Sequence, residues 1–347
     1  MGRILVLLAV CVAPSVAADK NLDIYFIDVE GGAATLIVTP TGESLLIDSG
    51  YPDHNGRDRN RVLKTMKASG LTRIDHAIVT HWHRDHYGNH AALAAEVPIR
   101  NWWDRGIPAE LREDKTFPAR IADYRRASEN KSRALAPGDE IPVISPDKKL
   151  HVRVLTSGRN VVPNKGEKNP FASEHRPRDR DASDNAASLS LLLEYGDFRF
   201  LCCGDLTWNV EAKLVRPRNP IGQVDVFMVT HHGLPNSNNP ALILAIDPVV
   251  AVMCNGPTKG GHLETQKTLR RVESLKALFQ LHRNVKLRDD QQTGSAFIAN
   301  SGQTADCQGR GVKLSVHPEG KSYTVQIDGR PKIHTFSIRA ASAVNQP

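Results

Sequence analysis

The chain has 347 residues, of which 40% are hydrophobic and 24% charged. That balance is ordinary for a globular protein in water and excludes a chain built mainly of membrane spans. The formal charge of +7 favours acidic partners such as nucleic acid, phosphorylated glycans or anionic lipid headgroups, although acids and bases alternate and no basic run stands out.

Residues 1–18 carry Arg3, an apolar run from Ile4 to Ala13, and small residues after it. They read as a secretory signal peptide, cleaved after Ala17 or Ala18, and the run is too short for a membrane span. The expectation is an exported protein, periplasmic or secreted, with no integral membrane segment after signal removal and a charge of about +6. Cys202, Cys203, Cys254 and Cys307 remain. In an oxidising compartment they allow three pairings, or they are buried thiols.

Three apolar runs over 22–28, 33–39 and 44–48 read as strands joined by tight turns at Gly31-Gly32 and Pro40-Thr41-Gly42. Residues 57–69 place Val62, Leu63 and Met66 at helical spacing, and Gly70 follows as a cap. Residues 74–80 read as a buried strand that runs into Thr80-His81-Trp82-His83-Arg84-Asp85-His86, and residues 89–95 as a helix. His81 and His83 alternate on extended backbone, so both can point one way, and Asp85 and His86 follow where the chain turns. Imidazole nitrogen and carboxylate oxygen suit zinc and related divalent ions.

A short strand is expected over 97–100, before Asn101-Trp102-Trp103-Asp104, whose tryptophans favour core packing over a pocket wall. Residues 118–135 read as a basic helix and 157–185 as a long polar loop. Strands over 186–195 and 198–202 flank the Gly196-Asp197 turn and end at Cys203-Gly204-Asp205. A helix is expected from Leu206, which Asp205 alone would be read as capping. Residues 225–231 form another strand, running into His231-His232-Gly233. A helix over 240–246, a strand over 249–254 and a turn at Asn255-Gly256-Pro257 come next. Lys259-Gly260-Gly261-His262 reads as a plain turn before a helix over 264–281. From Gly311 on, alternating strands form a hairpin or small sheet.

The histidine cluster and the GD and HHG motifs resemble the metallo-β-lactamase superfamily. Asp28-Val29 with Gly32, Leu46-Ile47-Asp48-Ser49-Gly50, and the passage from Asn185 to Asp205 resemble the hydrolase domain of ComEC-type competence proteins. The likeness covers about residues 22–255. It implies an α/β fold, the four-layer αβ/βα sandwich, in a hydrolase domain over 19–300, with a C-terminal β extension over 301–347. It implies two divalent metal ions, zinc first and manganese or iron as alternatives. Their ligands would be His81, His83, Asp85, His86, Asp205 and His231, with Asp205 bridging and Asp48 supporting the ligands from behind. His231 is favoured over His232 because the first histidine after the strand is also the ligand at His81. His232 then faces substrate as an acid or hydrogen-bond donor, and Asp85 also orients the nucleophile.

The β-lactamases proper carry a further histidine upstream of the 186–202 hairpin. Here that zone holds Asp181, Asp184 and Asn185. Asp184 and Asn185 are candidate extra ligands or substrate contacts, and His175 is an outlying one. The implied chemistry is hydrolysis by a metal-activated water on an anionic or ester-type substrate. A phosphodiester, in nucleic acid or a phosphorylated envelope polymer, is favoured. A β-lactam, lactone or thioester is the alternative, and a binding protein with a retained metal site the remote one. No nucleic-acid-binding module is visible, so nucleic acid enters as substrate only.

Overall fold

The computed structural model describes residues 20–302 and 307–340, so the signal-peptide segment 1–18 lies outside the described residues. The chain opens with β1 (Leu22–Phe26), β2 (Thr35–Val38) and β3 (Ser44–Ile47), then α1 (Arg57–Ala68) and β4 (Ile74–Ile78). Two short helices, α2 (Arg84–Tyr87) and α3 (His90–Ala94), lead to β5 (Ile99–Asp104), α4 (Phe117–Ala127) and β6 (Arg133–Ala134). The second half contains β7 (Leu150–Ser157), β8 (Asn160–Val161), β9 (Glu167–Lys168), β10 (Ser190–Tyr195) and β11 (Phe198–Cys202). It continues with α5 (Trp208–Val215), β12 (Arg218–Asn219), β13 (Val226–Met228), α6 (Pro240–Ile246), β14 (Val250–Met253), α7 (Leu263–Leu269), β15 (Ala277–His282) and β16 (Ile298–Asn300). The last strands are β17 (Val312–Val316), β18 (Ser322–Ile327) and β19 (Ile333–Ser337).

One sheet of nine strands runs β19-β18-β17-β1-β2-β3-β4-β5-β6, and one of eight runs β16-β15-β14-β13-β11-β10-β7-β8. The strand period of two sends alternate side chains to opposite faces, and this builds the layers. Leu22, Ile24 and Phe26 of β1 meet Leu191 and Leu193 of β10, Phe198 and Phe200 of β11, and Val250 and Val252 of β14 in one core between the sheets. Phe26 and Phe200 meet edge to face there, ring centroids 5.8 Å apart. The alternate residues face outward. Leu192, Leu201, Ala251 and Met253 pack with Leu214, Leu242, Ile243 and Leu269 from the helices on that side. Leu36, Leu46 and Ala77 pack with Val62, Met66, Phe117, Ile121 and Tyr124 on the other. Helix, sheet, sheet, helix is the four-layer sandwich that the motifs imply.

Several elements differ from the sequence reading. The helix expected over 264–281 stops at Leu269, and residues 277–282 are a strand. Every residue of that strand is buried, so its apolar run has no two-residue rhythm and mimics helical spacing. The basic helix over 118–135 runs from Phe117 to Ala127 only, and the strand expected at 97–100 begins at Ile99 and takes in both tryptophans. Trp102 and Trp103 are core residues, the latter donating from its indole to His76 Nδ1. Strand β7, which pairs along all of β10, has no counterpart in the reading. The tail strands extend the first sheet through β17, antiparallel to β1.

These errors leave the placement of the site untouched. β3, β4 and β5 are parallel, as are β11, β13, β14 and β15. Their carboxyl ends carry Asp48, His81–His86, Asp205, His231–His232 and Asn255–Lys259, which is where open parallel sheets gather ligand sites.

Candidate metal centre

The loop leaving β4 is held from several sides. Thr80 N and Oγ1 donate to Asp48 at 2.8 and 2.7 Å, Trp82 N donates to Asp184 Oδ2 at 2.6 Å, and Trp82 Nε1 donates to Gly106 O at 2.9 Å. Asp184 is in turn ion-paired with Arg105. A fixed loop fixes its side chains. His81, Asp85, His86, Asp205, His231 and His232 are buried, while His83 and Glu113 stand at the open side. His231 and His232 both take left-handed backbone, φ 53° and 55°. Two successive non-glycine residues there cost about 1–3 kcal/mol each and are tolerated because the surroundings hold them.

Five imidazoles turn one nitrogen inward and give the other to an oxygen. His86 Nδ1 donates to Asp48 Oδ2 at 2.8 Å, His83 Nε2 to Glu113 Oε1 at 3.0 Å, and His232 Nδ1 to Cys254 O at 3.0 Å. The hydroxyl of Thr80 spends its hydrogen on Asp48, so at 3.1 Å it accepts from His81 Nδ1. His231 Nδ1 meets Ser237 Oγ at 3.0 Å. Partners of this kind fix which nitrogen keeps the lone pair.

The inner atoms are therefore acceptors, and they converge. His81 Nε2 and His83 Nδ1 are 3.1 Å apart, and His86 Nε2 and His232 Nε2 3.3 Å apart. Asp85 Oδ2 lies 3.3 Å from each of the latter pair. Asp205 Oδ2 lies 3.2 Å from His86 Nε2, 3.4 Å from His231 and His232 Nε2, and 3.8 Å from His81 Nε2. Lone pairs facing at such distances repel unless a cation stands among them, so the donor set fits divalent metal ions. Asp85, His86, Asp205 and His232 form the tightest group. His81 and His83 stand beside that group, and His81 Nε2 reaches Asp205 Oδ2 at 3.8 Å.

The electrostatics point the same way. Burial opposes ionisation of Asp85 and Asp205, but the histidine charges, with Lys259 for Asp85, hold both carboxyls well below the usual range. Burial would depress His86, yet Asp205, Asp85 and Asp48 hold it well above the usual imidazole value, so the carboxylates draw a positive charge, a proton or a metal ion, to His86 Nε2. Burial lowers His231 to about 4, and burial with the His86 charge lowers His81, leaving both as neutral donors.

The structure brings together His81, His83, Asp85, His86, Asp205, His231 and His232, with Asp48 directly behind them. It places His232, not the favoured His231, in the tightest group, and His231 Nε2 faces Asn185 Nδ2 at 3.3 Å. Asn185 is close enough to serve as a contact, its Oδ1 buried without a partner. Asp184 is turned away and clamps Trp82. His175 is bonded to Asn239 at 2.8 Å, and Asp181 caps Ser183 N, so neither joins the donors. Thr207, not Asp205, stands at the N-cap of α5. Among the described residues, Cys202, Cys203, Cys254 and Cys307 are free thiols.

Lys259, read as part of a plain turn, reaches the centre. Its ammonium donates to Asp85 Oδ2 at 2.5 Å and to Tyr51 OH at 3.2 Å. The only signal in the sequence is a lysine before two glycines. Gly260 lies against the His232 backbone so closely that a Cβ would sit 2.1 Å from His232 O, which brings Lys259 beside the HHG turn.

Several known proteins resemble this chain. The chain is 24% identical over 292 residues to ComE operon protein 3 of Bacillus subtilis (strain 168), covering 80% of this chain and 33% of that protein. It is 25% identical over 252 residues to Recombination protein 2 of Haemophilus influenzae, covering 72% and 26%. The chain thus spans a third or less of the length of these relatives. Among solved structures, the metallo-beta-lactamase fold protein YhfI from Bacillus subtilis is 11% identical, with a TM-score of 0.44 over 74% of this chain and 95% of that one. The profile of the metallo-beta-lactamase superfamily matches residues 27–277, and the chain belongs to that superfamily of metal-dependent hydrolases.

Proposed function

We propose that this protein is an exported phosphodiester hydrolase with two divalent ions, zinc in the first instance. The carrying observation is a fixed ammonium, Lys259, at the edge of a centre otherwise made of acceptors. A phosphodiester brings a negative charge on the scissile group itself, with non-bridging oxygens that such a cation can neutralise, whereas the scissile group of a β-lactam, lactone or thioester is uncharged. The net charge of +7 and a relative named for recombination support the same substrate class. Export rests on the signal-peptide pattern of residues 1–18.

Asp85, His86, His232 and Asp205 would hold one ion, and His81, His83 and Asp205 the other, with His231 and Asn185 beside them. Bound there, the ions would supply Lewis acidity and a water acidified towards neutral pH. The protein's own part is positional. Asp205 ties the two pockets through one carboxylate, Asp48 and Glu113 aim His86 and His83, and Lys259 orients and neutralises the substrate anion. Tyr51, its hydroxyl 3.2 Å from Lys259 Nζ, lines the same mouth.

The test is turnover of a chromogenic phosphodiester by the zinc-loaded chain. Asp205→Asn should lose both turnover and metal content while its circular dichroism stays that of the wild type. Silence from folded, metal-replete wild type overturns the phosphodiester reading and directs the search to β-lactams, lactones and thioesters.

A further inference from the structure

A second convergence of ligand-type side chains lies outside the hydrolytic centre. Asp28 follows β1, His282 ends β15 and Cys307 precedes β17, so three distant parts of the chain meet. Asp28 Oδ1 accepts from His282 Nε2 at 2.7 Å, Asp28 Oδ2 accepts from the Cys307 thiol at 3.1 Å, and Cys307 Sγ stands 3.9 Å from His282 Nε2. Asp28 and His282 are 0% exposed, whereas Cys307 is partly open and gives a route in.

The arrangement is wrong for a nucleophile. A cysteine is activated by an adjacent base, and here the thiol is bonded to the carboxylate while the imidazole stands farther off. It is right for a metal. Ligands about 2.0–2.3 Å from a tetrahedral ion stand roughly 3.3–3.8 Å from one another. The three edges of this triangle bracket that spacing, so small side-chain shifts suffice.

Charge agrees. The ionised groups in contact are Asp28, Glu30 and Asp58 with Arg57 and Arg61, which leaves one net negative charge. Arg61 borders the site, its Nη1 2.9 Å from Asp28 Oδ2 and its Nη2 3.5 Å from Cys307 Sγ, and Glu30 holds Nη2 at 3.0 Å. Ionisation of Cys307 adds a second negative charge, and one divalent ion balances the pair.

We propose that Asp28, His282 and Cys307 form a separate metal site for zinc or an ion of similar softness, stapling β1, β15 and the entry to β17. Binding releases the thiol proton to water, moves the His282 proton from Nε2 to Nδ1 so that the imidazole stays neutral, and leaves Asp28 as a carboxylate ligand. A water completes the four-coordinate shell. The site carries no hydrolytic step and does not depend on the substrate assigned to the other centre.

Cobalt distinguishes the two sites, because the hydrolytic centre offers only nitrogen and oxygen donors. The full chain, stripped with chelator and titrated with Co²⁺, should develop a near-ultraviolet thiolate-to-cobalt charge-transfer band and bind one more equivalent than Cys307→Ser. In that variant the band should vanish while the remaining cobalt stays bound. A cobalt-saturated wild type without the band, with Cys307 still reacting as a free thiol, overturns the proposal. A band that persists in Cys307→Ser overturns it as well, since another cysteine would then be its source. The wild-type measurement stands alone should the variant misfold.

Discussion

Asp48 is the residue whose replacement best separates a supporting role from a turn role. Its backbone is left-handed, φ 59°, a region that asparagine enters readily, so Asp48→Asn leaves the chain path unstrained. The carboxylate accepts three hydrogen bonds, from Thr80 N at 2.8 Å, Thr80 Oγ1 at 2.7 Å and His86 Nδ1 at 2.8 Å. An amide has one acceptor end. If that end serves Thr80 N, the amide NH₂ faces His86 Nδ1 and donates to it, which moves the imidazole proton to Nε2 and removes the inward lone pair. If the amide turns over, its NH₂ faces the Thr80 amide and one buried donor is left unpaired. Either way the loss falls on the metal pocket of Asp85, His86 and His232. Loss of such an orienting partner weakens metal binding by roughly ten- to a hundredfold, or about 1.4–2.7 kcal/mol. Competition against a zinc chelator, with circular dichroism as the check on folding, reads this directly. A folded Asp48→Asn protein that holds both ions with wild-type affinity would show that Asp48 shapes the turn and nothing more.

Two further outcomes are expected. Lys259→Met should keep its metal and raise KM for a phosphodiester by roughly tenfold, the worth of one charge-assisted hydrogen bond reduced for a partly exposed group; an unchanged KM refutes the anion role. Glu211 is buried with one oxygen accepting from Asn239 N at 2.8 Å, and burial raises its carboxyl to about 7. The native state therefore holds this proton where the unfolded chain releases it, so stability falls as pH climbs from the ordinary carboxyl range to about 7, by up to about 3 kcal/mol. Glu211→Gln should be more stable than wild type at pH 8 and little changed at pH 5, read as the difference in chemical-denaturation midpoints; equal differences at both pH values would show that Glu211 does not titrate in this window.

What could be read from the sequence follows from how local each signal is. His81, His83, Asp85 and His86 lie on one strand-to-turn segment, so their spacing alone reveals them, and Asp205 and His231-His232 likewise close strands whose apolar runs are plain. His231 and His232 both take positive φ and both set Nε2 3.4 Å from Asp205 Oδ2, and no residue pattern announces a turn that aims two successive imidazoles at one carboxylate. The strand over 277–282 is buried on both faces and so has no alternation to read. Lys259 and Glu113 come to the centre from loops far from it in sequence, and only the fold brings them there.

The same distinction explains why the centre can be built at all. Each half of the chain supplies an incomplete set: the first sheet brings His81, His83, Asp85, His86 and the support of Asp48, the second Asp205, His231 and His232. Neither set closes a pocket alone, because the acceptors that face one another, His86 with His232 and Asp205 with His81, come from different sheets. Bringing such groups together without a cation is unfavourable, so the apolar core between the sheets must hold them, and metal binding then relieves the repulsion. The centre is thus most sensitive to the sheet-to-sheet contacts beneath it. A core truncation there, such as Phe200→Ala, would loosen the register of Asp205 against the β4 loop before it disturbed any ligand directly.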